Sequence, residues 1–211
     1  MEYVISALIG YLIGSFPTAY LLLKSSKNID ITKAGTGNVG AFNSYEVTGS
    51  KLTGWFVFLL DALKGALSVF IPMLLYLGEF ILPTTALIFA VLSHCFNPWL
   101  KFKGGRGLAT AAGGAFIIFP YLLLVWAVLW VIFYLMKKDI HLANITAIIM
   151  SLIILYSTGN IAVKYAYPKP VQEFDLYLIS TAILGIIFIK HLKPLKELIQ
   201  KAKLKKASNH D

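Results

Sequence analysis

Apolar blocks about as long as a bilayer is thick recur along this 211-residue chain, and no other feature restricts its fold so tightly. A membrane-crossing helix needs roughly 20 mainly apolar residues. Tyr3–Leu23, Gly54–Leu77, Ile81–Leu100, Leu142–Thr158 and Phe174–Ile189 each meet that need or come close to it. The first block starts almost at residue 1, but no basic segment precedes it and no small-residue cleavage pattern follows cleanly. It therefore reads as a retained span rather than a signal peptide. Composition agrees: 58% of residues are hydrophobic and 14% charged, against about 25% charged in ordinary soluble domains. Soluble enzymes, disordered tails and disulfide-rich secreted modules are excluded. The single cysteine, Cys95, rules out an internal disulfide.

The block Leu108–Met136 is too long for one crossing. As a single helix it would extend about 43 Å, against a hydrocarbon core of about 30 Å. Splitting it at Phe119-Pro120 uses a proline where helices begin well. The split also puts Lys101, Lys103 and Arg106 on the same side as Lys137 and Lys138, as the positive-inside tendency favours. The expected architecture is then an all-α polytopic membrane bundle of seven transmembrane helices forming a single domain, residues 1–211, with its amino terminus outside and its carboxyl terminus cytoplasmic. Segments Lys24–Thr53, Lys101–Gly107, Lys137–Asp139 and the tail from Lys190 share the cytoplasmic face and hold 16 of the 19 basic residues. The net charge of +9 thus marks loop placement and not nucleic-acid binding. Lys190–Lys206 reads as a basic helix facing solvent or lipid headgroups.

Two polar strings carry candidate chemistry. In Lys103-Gly104-Gly105-Arg106-Gly107, glycines let backbone N–H groups converge on an anion at the start of the helix from Leu108, and the cations supply countercharge. In Gly35–Asn43, glycines 35, 37 and 40 permit close backbone approach, while Thr36, Asn38 and Asn43 can orient oxygens. Asp61 and Lys64 stand three apart within a span and so share a helical face, where ionisable groups usually pair. His94 and His191 lie near the cytoplasmic ends of their spans; His141 and His210 have no supporting context. No histidine has a second ligand at helical spacing, so no metal site is expected.

These strings resemble those of the acyl-phosphate-dependent glycerol-3-phosphate acyltransferases of bacterial membranes, the PlsY family. Its first motif, G-S-G-N-x-G-x-x-N, is matched by Gly35–Asn43 with Thr36 in place of Ser. The second half of its second motif, F-K-G-G-K-G-V-A-T, is matched by Phe102–Thr110 with Arg106 and Leu108 substituted. The resemblance implies seven spans in a bacterial cytoplasmic membrane and an active site facing the cytoplasm. It implies transfer of a fatty acyl group from acyl phosphate to the 1-hydroxyl of glycerol 3-phosphate, giving lysophosphatidic acid and phosphate without a cofactor. By the same resemblance Thr36, Asn38, Asn43 and His191 serve the reacting centre. Lys103, Gly104, Gly105, Arg106 and Gly107, with Gly35, Gly37 and Gly40, bind phosphate, and Asp61, Lys64 and His94 support the site. The leaving phosphate can take the hydroxyl proton; His94 or His191 is the candidate for any dedicated base.

Three positions depart from the family pattern. Glu46 stands where the family has Arg, at a cost exceeding about 1–3 kcal/mol in phosphate binding; either Lys33, Lys51 or Lys193 compensates or the substrate has changed. Lys190–Leu198 keeps the His of R-H-x-x-N-I-x-R-L but neither Arg, and has Pro194 at its Asn. Asn97 replaces the proline of H-x-x-P. A homologue acting on another phosphorylated acceptor is one competing reading. A non-enzymatic lipid- or phosphate-binding membrane protein or transporter is the other.

Overall fold

The computed structural model describes residues 1–207; His210 lies outside them. They form ten α-helices: α1 (Glu2–Ser15), α2 (Thr18–Lys27), α3 (Ala41–Thr48), α4 (Lys51–Leu75), α5 (Ile81–Cys95), α6 (Leu108–Ile118), α7 (Pro120–Lys137), α8 (Ile140–Ser157), α9 (Gly159–Ala162) and α10 (Glu173–Ala207). Six helical segments among the described residues are long and apolar enough to cross a membrane: Glu2–Lys27, Lys51–Leu75, Ile81–Leu100, Pro120–Lys137, Ile140–Ser157 and Glu173–Gln200. The first is broken at Phe16-Pro17 between α1 and α2, because proline supplies no N–H to continue the ladder. Leu8, Leu74, Leu124 and Leu135 point outward and are more than half exposed. Such apolar surface suits lipid as solvent and would be costly in water.

The break expected at Phe119-Pro120 is present, with Pro120 opening α7. At one end of the bundle the Arg106 guanidinium Nη1 lies 3.1 Å from His141 Nδ1, so the start of α6 and the start of α8 share a face. At the other end Tyr167 N–H donates to the Ile118 carbonyl at 3.1 Å, and Tyr121 Oη is 2.8 Å from Thr158 Oγ1. The chain therefore goes across in α6 and returns in α7. Its outward leg departs from expectation: α6 has only 11 residues, a rise of about 16 Å. It is short because the preceding loop is folded into the bundle, with Gly104, Gly105 and Gly107 buried. Non-helical backbone is tolerated at such depth where protein surrounds it.

Small residues set the helix contacts. A Cβ added to Gly10 would lie 1.9 Å from the Ala86 carbonyl oxygen, and one on Gly113 would lie 1.9 Å from that of Ala62. The α1–α5 and α4–α6 pairs thus touch backbone to backbone, the mode of packing that works where lipid removes the hydrophobic drive between helices. Gly113→Leu is expected to destabilise the protein by more than the ~1–3 kcal/mol of ordinary overpacking. A thermal midpoint in detergent lowered against wild type checks it; an unchanged midpoint would mean the contact is dispensable.

Residues 28–50, 101–107 and 138–139 gather on the face that carries Arg106, called here the loop face. Segment 24–53 is partly helical: α2 runs to Lys27 and α3 occupies Ala41–Thr48. Its remaining loop is anchored by Ile31 and Val39, buried against Ala19, Leu23 and Val57. Asp30 Oδ1 accepts from Thr32 N–H at 3.0 Å and Thr32 Oγ1 at 2.7 Å. The hydroxyl bond holds the Asp30 carboxyl below its usual range. On the last helix, α10 carries the chain from the bundle through the basic stretch without a break.

Candidate active site

The two glycine-containing strings meet. Val39 N–H donates to the Gly104 carbonyl at 3.3 Å, and Gly105 N–H donates to the His94 carbonyl at 3.1 Å. A Cβ on Gly105 would fall 2.0 Å from the His94 ring nitrogen Nε2, so only glycine fits between the end of α5 and this loop. Gly107 takes the left-handed conformation, φ 84°, and opens α6. The backbone N–H groups of Gly104, Arg106 and Gly107 form no hydrogen bond among the described residues. With the positive end of α6 behind them they make a ready anion cradle.

Beneath the cradle lies a cavity of about 830 Å³. Its polar end is built from Asn38, Gly40, Asp61, His94, Arg106 and Gly107. Ala62, Ala112, Phe116, Leu123, Trp126 and Ala127 wall the apolar remainder. Phe116, Leu59 and Leu63 line the cavity and are also exposed on the outer surface, so it opens sideways through the helix wall.

Arg106 is partly buried, and that burial draws its guanidinium below the ordinary range; Glu197 and Glu46 act on it in the opposite sense. It remains charged and donates to His141 Nδ1. His141 was missed by sequence reading. It follows the N-cap Asp139, whose Oδ1 accepts from His141 N–H at 2.8 Å. The usable signal was the placement of the short loop 137–139 on the loop face. Lys103 is exposed at the loop's edge.

The expected pairing of Asp61 with Lys64 is present. Asp61 Oδ1 lies 2.9 Å from Lys64 Nζ and 3.7 Å from His94 Nδ1, and it accepts from the Thr18 hydroxyl. Lys64 also donates to the Phe16 carbonyl at 3.0 Å. Both charges are buried, at 1% and 6% exposure. The pair spans the Phe16-Pro17 break and holds α1, α2, α4 and α5 in register.

Other expected residues take different positions. Asn43 does not line the cavity: its amide donates to the Ala34 and Asn38 carbonyls at 3.1 and 2.9 Å, and its Oδ1 accepts from Thr36 N–H at 2.9 Å. Both donors are spent holding the loop's shape. Thr36 is exposed and also lies off the cavity wall. His191 is fully buried; its Nδ1 bonds the Ile187 carbonyl at 2.8 Å, so that nitrogen carries the proton. Nε2 is then an acceptor with no partner among the described residues. Asn97 replaces proline by work of its own: Nδ2 donates to the Ser15 carbonyl at 2.6 Å, and Oδ1 accepts from Trp99 N–H at 3.1 Å. Of the three suggested compensating cations, Lys33 is turned to Asp30 at 3.7 Å.

Comparisons with known proteins point one way. Residues 4–201 match the family described as glycerol-3-phosphate acyltransferase. A Staphylococcus aureus glycerol-3-phosphate acyltransferase is 34% identical over 200 residues, covering 90% of this chain and 91% of that protein. Thermotoga maritima glycerol-3-phosphate acyltransferase 2 is 38% identical over 149 residues, covering 71% and 75%. The crystal structure of PlsY, an integral membrane glycerol 3-phosphate acyltransferase, in its glycerol 3-phosphate form superposes with TM-score 0.80 at 29% identity, covering 95% and 94%. The lysophosphatidic acid form gives 0.78. A sideways-open apolar cavity beneath a glycine-built anion cradle, on a chain matched almost end to end, thus places this protein in the glycerol-3-phosphate acyltransferase family of integral membrane proteins.

Proposed function

We propose that this chain acylates glycerol 3-phosphate for phospholipid synthesis, taking the acyl group from acyl phosphate and releasing lysophosphatidic acid and phosphate. The observation that carries the reading is one cavity whose cationic, amide-rich end continues into an apolar groove. Such a cavity suits one water-borne phosphate and one lipid-like phosphate. The chain works as a single membrane-embedded domain. Its seventh crossing is the short α6, entered from the loop face. The amino terminus lies outside, and the loop face lies in the cytoplasm of a bacterium, a placement favoured by the basic residues collected there.

The acyl donor's chain occupies the groove and its phosphate meets Arg106 and the free amides of Gly104, Arg106 and Gly107. Lys103 contributes at the rim, where the acceptor's phosphate arrives. Asn38, on the cavity wall, borders the reacting centre. In the step itself the 1-hydroxyl oxygen bonds to the acyl carbon and the bond from that carbon to the phosphate oxygen breaks. The hydroxyl proton passes to the departing phosphate. The donor is already activated, so proximity and charge stabilisation supply much of the rate.

Purified protein in detergent with palmitoyl phosphate and radiolabelled glycerol 3-phosphate is expected to form lysophosphatidic acid. No product from folded protein would overturn the reading. Glu46, standing where the family pattern has Arg, favours a second reading, in which the acceptor is another phosphorylated alcohol. Glu46→Arg restores the cation of that pattern and is expected to lower KM for glycerol 3-phosphate about tenfold, from about 1–2 kcal/mol per charge-assisted contact. An unchanged KM would show that Glu46 does not face the acceptor.

A further inference from the structure

Midway along the cavity wall is a polar pair that no motif covers. Asn144, one turn after His141 in α8, is 5% exposed, yet it lines the cavity. Its Oδ1 accepts from the Trp130 indole N–H at 2.7 Å. An indole nitrogen can only donate, so this bond fixes which way the amide is turned. The amide NH2 is left as the group presented to the cavity, and it makes no hydrogen bond among the described residues. The amide is open to the cavity and not sealed in the protein, and the surrounding apolar wall gains nothing in packing from it.

Trp130 is itself held in place. Its ring stacks on Trp126 at 6.5 Å and on Tyr134 at 5.1 Å, and Lys138 Nζ sits 5.7 Å above the Tyr134 ring. These residues are four apart along α7 and form a continuous ladder from the loop face into the groove. The indole is thus pre-set, and through it the amide. Depth gives the amide its use. Asn144 lies three residues beyond His141, or about 4.5 Å deeper along the helix axis, and His141 is the partner of Arg106. An acyl phosphate with its phosphate on Arg106 has its carbonyl one anhydride linkage further in, at the level of Asn144.

Resting on the acyl-phosphate reading above, we infer that Asn144 donates to the acyl carbonyl oxygen as negative charge builds there, and that Trp130 is the residue positioning it. The amide gains strength as the carbonyl oxygen becomes an oxyanion, so it acts on turnover more than on acceptor binding. Removing one such donor costs about 10²–10³-fold in kcat.

Asn144→Ala is expected to lower kcat about 10²-fold with KM for glycerol 3-phosphate within about twofold. Trp130→Phe keeps the stacked ring and loses the N–H; about a tenfold fall in kcat is expected, from one hydrogen bond of about 1–1.5 kcal/mol. A binding assay separates this inference from the reading beneath it. Thermal stabilisation of the detergent-solubilised protein is titrated with palmitoyl phosphonate, which keeps the carbonyl, and with hexadecyl phosphate, which lacks it. Wild type is expected to favour the carbonyl analogue, and Asn144→Ala to lose that preference while still binding hexadecyl phosphate. Equal preference in both proteins, or a Trp130→Phe enzyme with unchanged kcat, would overturn the assignment of Asn144 while leaving the acyl-phosphate reading intact. If neither analogue stabilises wild type, the acyl-phosphate reading falls and this inference with it.

Discussion

Replacing Arg106 by alanine is expected to lower kcat/KM for glycerol 3-phosphate acylation by about 10²–10³-fold, with steady-state kinetics in detergent as the measurement. The size follows from position. Arg106 stands on the cavity wall at the start of α6, beside N–H groups that nothing else in the described chain uses. Its burial removes the water that would otherwise screen its charge, so an anion against it gains more than at an exposed lysine. Arg106→Lys keeps the charge and gives up the bond to His141; its activity is expected within about tenfold of wild type, one hydrogen bond being worth about 1–1.5 kcal/mol. If Arg106→Ala retained full activity, the cradle would not be the phosphate site.

Asp61→Asn is the second large effect, on stability. The change leaves the Lys64 ammonium buried without its carboxylate, and such one-sided breaks of buried pairs cost about 3–5 kcal/mol. For a chain of this size that lowers the thermal midpoint by roughly 6–20 °C. The double variant Asp61→Asn, Lys64→Met removes both charges and is expected to recover much of the loss. An unchanged midpoint in the single variant would show that the pair is not needed to hold α1, α2, α4 and α5 together.

Much of this architecture was readable from the chain. Uninterrupted apolar blocks mark spans whatever their packing, and charge placement split Leu108–Met136 at the proline where the structure turns. The Asp61–Lys64 pair followed from helical spacing and the high cost of a lone charge in lipid. What could not be read depends on contacts between distant segments. The shortness of α6 arises because Gly105 fits under His94, a contact between a loop and the end of α5 that periodicity does not record. His141 gained a role only when α7 brought it to Arg106. Asn43 lost one because both amide hydrogens are used inside its own loop, and a sequence motif does not distinguish a group that shapes a loop from one that meets a ligand. Groove-facing Leu123 and outward-facing Leu124 are the same residue type, so the groove left no trace in the apolar pattern.

The sideways mouth at Phe116, Leu59 and Leu63 has a kinetic consequence. A donor that enters from within the bilayer is sampled by two-dimensional diffusion, and its effective concentration is its mole fraction among the surrounding amphiphiles. Diluting the membrane with inert lipid at constant bulk donor should slow the enzyme, while its response to the water-borne acceptor stays tied to the aqueous phase. The two substrates of one reaction are counted in different solvents.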